Sequence, residues 1–214
     1  MKKVGIYKYY NQFVYYKKKH GYFGLFSKIL SRLWWKINNK EILYYFDLKN
    51  EFNYNDFDLS LKSYSSINDL SLNDKMGILE NNKNKEILDI FLRDLFNRGG
   101  TLWLANCEGN IVGLAWTFRR GFNGFYSLPL NADEFTAIAG ETFPRYRGQN
   151  IMARMLKLIC VKLREIGGSK IYVKVHFLNR PMLKSMGKTN AIKVGDVRTF
   201  DIFNRKITIW SKIY

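Results

Sequence analysis

The run Thr142-Phe143-Pro144-Arg145-Tyr146-Arg147-Gly148-Gln149-Asn150-Ile151 ends an apolar, strand-like segment, makes a short turn and opens an amphipathic helix. A strand that feeds a helix through such a turn leaves the first backbone N–H groups of the helix without partners. The helix dipole adds partial positive charge at the same place. Such a helix start is suited to holding an anion, a diphosphate above all. It also demands a fold in which one strand runs directly into one long helix.

A second pattern follows at a fixed distance. Lys170 to His176 alternates in the manner of a strand. The segment Asn179-Arg180-Pro181-Met182-Leu183-Lys184-Ser185-Met186-Gly187-Lys188 then reads as a short helix and its turn, leading on to Gly195. Asn179 lies 32 positions after Arg147, enough for one helix, one turn and one strand.

Together the two patterns resemble the signatures of the GNAT acetyltransferase superfamily. Its acetyl-CoA motif is written R/Q-x-x-G-x-G/A, so Arg147 is the first position, Asn150 replaces the central glycine and Met152 takes the last. Asparagine tolerates a left-handed backbone nearly as well as glycine does. Asn179, Lys188 and Gly195 fit the second signature, in which Asn190 and Ala191 replace the usual Gly-Phe. The resemblance spans roughly residues 56 to 214 and is strongest from Phe135 to Gly195.

The resemblance implies an α+β fold, a mixed, mostly antiparallel sheet flanked by helices. It implies an acetyl-CoA-dependent N-acyltransferase that moves the acyl group directly from the thioester to a small amine. By position, the backbone of Thr142 and Phe143 holds the pantetheine arm and polarises the thioester. The N–H groups of Gly148, Gln149, Asn150, Ile151, Met152 and Ala153 hold the diphosphate together with Arg147, and Asn179 binds the pantetheine. The family's tyrosine acid would stand seven residues after Asn179, where this chain has Met186. A thiol of pKa about 8.5 leaves tolerably as its anion without that acid. Glu141 and His176 both remain open as the base, directly or through water. A basic N-terminal segment ahead of such a domain is similar to amino-sugar acetyltransferases of surface-polysaccharide pathways.

Composition narrows the alternatives. With 214 residues, 47% of them hydrophobic, the chain can bury one substantial core. Two cysteines, Cys107 and Cys160, argue against a disulfide scaffold and suit a reducing, cytoplasmic compartment. The two histidines, His20 and His176, are far apart, and no ligand cluster calls for a metal. The first residues interleave lysines with tyrosines and lack a signal-peptide pattern. A formal charge of +17 suits an anionic ligand and leaves peripheral contact with an anionic membrane open. No RNA-recognition strand with the expected aromatic pattern is found, which disfavours nucleic acid. The competing readings are a CoA-binding protein without catalysis and a basic membrane- or RNA-binding module. A homo-oligomer is compatible with each.

Along the chain, residues 1–50 read as a basic, aromatic extension. Within it a helix is expected from Tyr22 to Ile37, its stripe formed by Phe26, Ile29, Leu30, Leu33, Trp34 and Ile37, with a strand over 41–48. The catalytic domain is expected over 51–214. Its elements are a strand at 59–67, helices at 74–80 and 85–98, a hairpin at 101–107 and 111–119, a strand at 134–143, a helix at 151–166, a strand at 170–176 and a closing hairpin at 197–203 and 206–212.

Overall fold

The computed structural model describes residues 21–22, 40–50, 52, 58–81, 85–119, 130–202 and 205–213. The chain divides into two units, residues 1–39 and 40–214. The helix expected from Tyr22 to Ile37 lies almost wholly outside the described residues.

The second unit runs β1 (Lys40–Asp47), β2 (Leu59–Tyr64), α1 (Leu72–Glu80), α2 (Lys85–Asn97), β3 (Gly100–Cys107), β4 (Asn110–Arg119), β5 (Glu134–Thr142), a 3-10 turn (Pro144–Tyr146), α3 (Ile151–Glu165), β6 (Lys170–His176), α4 (Arg180–Met186), β7 (Ile192–Ile202) and β8 (Arg205–Ile213). The strands form one sheet in the order β2-β3-β4-β5-β6-β1-β7-β8. β5 and β6 run parallel, and the other neighbouring pairs antiparallel. This is the mixed, mostly antiparallel sheet the sequence implied.

The strand counted with the N-terminal extension belongs inside this sheet. β1 pairs with β6 along one edge and with β7 along the other, so a boundary at residue 50 would cut a strand away from both neighbours. Its sequence, Lys-Glu-Ile-Leu-Tyr-Tyr-Phe-Asp, lacks clean alternation, and apolar side chains stand on both of its faces. Leu43 and Phe46 are buried, three positions apart and therefore on opposite faces.

Helices lie on both faces. α3 puts Ile151, Met155, Leu156, Ile159 and Leu163 against Phe46, Ala137, Ile171, Val173 and Val175. On the other face Ile78 of α1 and Leu88, Leu92 and Leu95 of α2 meet Leu102, Leu104, Trp116 and Phe118. Between β3 and β4 the indole N–H of Trp103 donates to the Thr117 hydroxyl at 2.8 Å, which satisfies two buried polar groups.

The start of α1 is fixed by a small polar cluster. Ser71 caps the helix by accepting from the Asp74 N–H, and its own hydroxyl donates to the Asp74 carboxylate at 2.8 Å. Tyr64 and Lys62 of β2 donate to the same carboxylate. Burial acts to raise the Asp74 pKa, but these three partners outweigh it and hold the group below its ordinary value. A depressed carboxylate stabilises the fold above its unfolded pKa and loses that contribution as pH falls through its folded pKa. Asp74→Asn should therefore cost about 1–3 kcal/mol at pH 7. Urea melts of variant and native protein should converge as pH drops below about 3.9, the ordinary aspartate value.

Candidate active site

The sheet opens where β5 and β6 part. Their parallel pairing covers Glu134 to Ala137 against Lys170 to Val173, while β5 continues to Thr142 and β6 to His176. On its other edge β5 carries a bulge. Leu114 pairs with Glu141 and Trp116 with Ile138, so Ala115 alone faces both Ala139 and Gly140. A bulge re-aims the backbone and leaves one residue out of the ladder, here at the mouth of the fork. An ideal Cβ on Gly140 would come within 3.1 Å of the Met152 side chain. The methionine in the last motif position is thus buried against a residue small enough to receive it.

A cleft of about 680 Å³ fills the fork and runs to the start of α3. There Gly148 (φ +88°) and Asn150 (φ +58°) both adopt the left-handed backbone. Asn150 is the N-cap and makes no side-chain cap bond, so the first N–H groups of α3 point outward. Its side-chain oxygen instead accepts from Lys188 Nζ, which joins the two sequence signatures at one point. Lys188, Lys184 and Arg147 line the same cleft. Cations near a helix N-terminus suit a phosphate.

Of the residues marked out by sequence, Glu141, Thr142, Arg147, Gly148, Asn150, Ile151, Met152 and Asn179 line the cleft. Gln149, Ala153, Phe143 and His176 are not among its walls. Phe143 is buried, and its N–H donates to the Val112 carbonyl at 2.9 Å, so it has no hydrogen to offer a thioester. Of the bulge residues, Gly140 lines the cleft. Thr142 offers its carbonyl to Arg147 Nε at 3.2 Å. The Asn179 side chain caps α4 by accepting from the Met182 N–H. His176 Nδ1 accepts from the Leu178 N–H at 3.2 Å, which in the neutral ring puts the proton on Nε2. Glu141 faces Arg147 at 3.6 Å across the cleft mouth, both side chains well exposed.

The position of the family's tyrosine acid is closed. Met186 is 1% exposed and packs in the α3-side core. Tyr172 is no substitute, since its hydroxyl donates to the buried Glu134 carboxylate at 3.2 Å. Burial first, and then the Glu134 charge, push its pKa up to about 12. Sequence reasoning missed Gly140, Tyr146, Lys174 and Lys184 as cleft residues. For Gly140 a signal existed, because an isolated glycine within a strand marks a bulge or a close approach.

The molecule is thus a forked α+β sheet, bulged on one arm, with a cation-lined cleft running from the fork to the start of the adjoining helix. The family model for the acetyltransferase (GNAT) family matches residues 67–187, more than half of the chain, and the chain belongs to that family. The family is one of acetyltransferases, and it uses acetyl-CoA. No curated protein matches the sequence. Among solved structures it is similar to a GNAT-family acetyltransferase from Colwellia psychrerythraea (13% identity, TM-score 0.50, covering 80% of this chain and 55% of that one). It is also similar to a tandem GNAT protein from the clavulanic acid biosynthesis pathway (13%, 0.50, 72% and 50%). A third is the GCN5-related glucosamine N-acetyltransferase region of a fungal multi-domain GH3 beta-N-acetylglucosaminidase (11%, 0.52, 74% and 20%). At these identities the likeness is one of fold. The chain spans half to three-fifths of the length of the first solved structures it matches.

Proposed function

We propose that the cleft binds acetyl-CoA and passes its acetyl group directly to the amine of a small molecule. The observation that carries this reading is the meeting, in one cleft, of a left-handed helix start ringed by cations with a forked and bulged strand pair. The diphosphate lies on the N–H groups opening α3, with Arg147 and Lys188 beside it. The pantetheine arm extends along the unpaired edge of β5, and a bulge N–H polarises the thioester carbonyl.

The amine nitrogen attacks the carbonyl carbon, the C–N bond forms, and the C–S bond breaks as the thiolate leaves. The proton shed by the amine passes to Glu141 through water. Direct transfer fits the cleft walls, among which there is no cysteine. Cys160 is buried in α3, and burial pushes its thiol far up, away from the nucleophilic thiolate. An amino sugar of a surface-polysaccharide pathway is the narrower acceptor reading. It draws on the basic N-terminal segment and on one structural relative that acts on glucosamine. Two unpaired cysteines suit a cytoplasmic enzyme.

Isothermal calorimetry tests the reading. Acetyl-CoA should bind the native chain, and Arg147→Ala should weaken binding about tenfold without lowering the melting temperature of the free protein. Well-folded protein that binds no acetyl-CoA would overturn it.

A further inference from the structure

One cation in the cleft does not belong to the phosphate end. Lys174 is the first residue of β6 past the last paired position, Val173, and it lines the cleft. Register fixes its face. Lys174 pairs with Leu43 and Tyr172 with Tyr45 across β1, while Tyr172 aligns with Thr136 on β5. Ile138 and Glu141 follow on that same side, opposite Trp116 and Leu114. Val173 and Val175 face the other way, into the core under α3. The phosphate site therefore belongs to the α3 face, and Lys174 to the opposite one.

The Lys174 side chain is 9% exposed and meets the Glu41 carboxylate at 2.5 Å. Glu41 comes from β1, the strand set between β6 and β7, and pairs with His176 and Val197. Burying a charged side chain is costly unless a partner of opposite charge lies close by. Glu41 supplies that charge and holds the long side chain in one place, which lowers the entropic cost of using it for binding.

The two lips of the fork thus carry opposite charges on the face away from α3. Glu141 stands on the β5 lip, and Lys174 on the β6 lip, and both line the cleft. A thioester threaded from the α3 side leaves this face for the second substrate. We propose that the acceptor is a small amine that also bears an anionic group, a carboxylate or a phosphate, and that Lys174, held by Glu41, anchors that group while the amine turns to Glu141. An ammonium offers three donors and can hold the Glu41 carboxylate and a ligand oxygen together. The inference rests on the acetyltransferase reading and narrows its acceptor.

The test uses matched amines at saturating acetyl-CoA, read as CoA thiol release: glucosamine against glucosamine 6-phosphate, and tyramine against tyrosine. The native chain should prefer the anionic member of at least one pair by about tenfold or more in kcat/KM. The pair that responds separates phosphate from carboxylate. Lys174→Met should bring that ratio to within about twofold of unity, mostly through KM, and Lys174→Arg should restore part of it. If Lys174→Met leaves Glu41 unpaired and fails to fold, the double variant Glu41→Gln, Lys174→Met removes both charges at similar volume and should lose the same preference. Calorimetry with acetyl-CoA runs alongside. Normal CoA binding with no anionic amine acetylated, with no preference for the anionic member, or with an equal loss on both members in Lys174→Met overturns the acceptor assignment and leaves the family reading standing. Loss of CoA binding in the native chain would overturn the reading beneath it.

Discussion

Glu141→Gln is expected to lower turnover about 100-fold at neutral pH while acetyl-CoA affinity stays within about twofold. The acceptor amine has a pKa of about 10 and arrives protonated, so a group at the cleft must take its proton before or during attack. Glu141 lines the fork on the face away from α3 and is solvated enough to work through water. Glutamine keeps its shape and cannot accept that proton. The ion pair with Arg147 is exposed and contributes little to stability, so the variant should melt with the native protein. The comparison is His176→Ala. His176 is turned into a backbone bond with Leu178 and stands outside the cleft walls, and its removal should leave turnover within about threefold. The reverse outcome, a silent Glu141 and a costly His176, would transfer the role of base to the histidine.

The contrast between these two candidates shows what the sequence could convey. Both were side chains near strand ends, and spacing could not say which faced the fork. The turn from Thr142 to Ile151 was legible because its chemistry is local: glycine and asparagine permit positive φ, and the helix start follows directly. The role given to Phe143 depended on tertiary pairing, as did the burial of position 186. Phe143 is engaged by Val112 on the neighbouring strand, and Met186 by the core beneath α3. Lys174 was invisible as a site residue for a similar reason. Its alternation placed it on a strand face, but the fork that exposes that face comes from where β5 stops pairing, and its partner Glu41 lies more than a hundred residues earlier in the chain. The same distance hid the place of β1. Edge or centre is decided by partners, and an apolar run of five residues, Ile42 to Phe46, fits either.

That placement leads to the largest expected effect on stability. Phe46→Ala should destabilise the protein by about 3–5 kcal/mol, read as a lower urea midpoint with an unchanged slope. Phe46 is fully buried, pairs with Ile171 across β6 and joins the cluster that α3 closes. Removing its ring leaves a cavity in the core beneath α3, and β1, paired with β6 at this position and with β7 over Lys40–Tyr45, is held from moving to fill it. Were β1 part of a detachable extension, the same change would cost about 1 kcal/mol or less, as at a surface position. The size of the loss therefore separates the two arrangements. The variant also reports on function, since β1 carries Glu41 on its other face. If the strand loosens without unfolding, the hold on Lys174 should weaken with it, and kcat/KM should fall at a temperature where the rest of the sheet is intact.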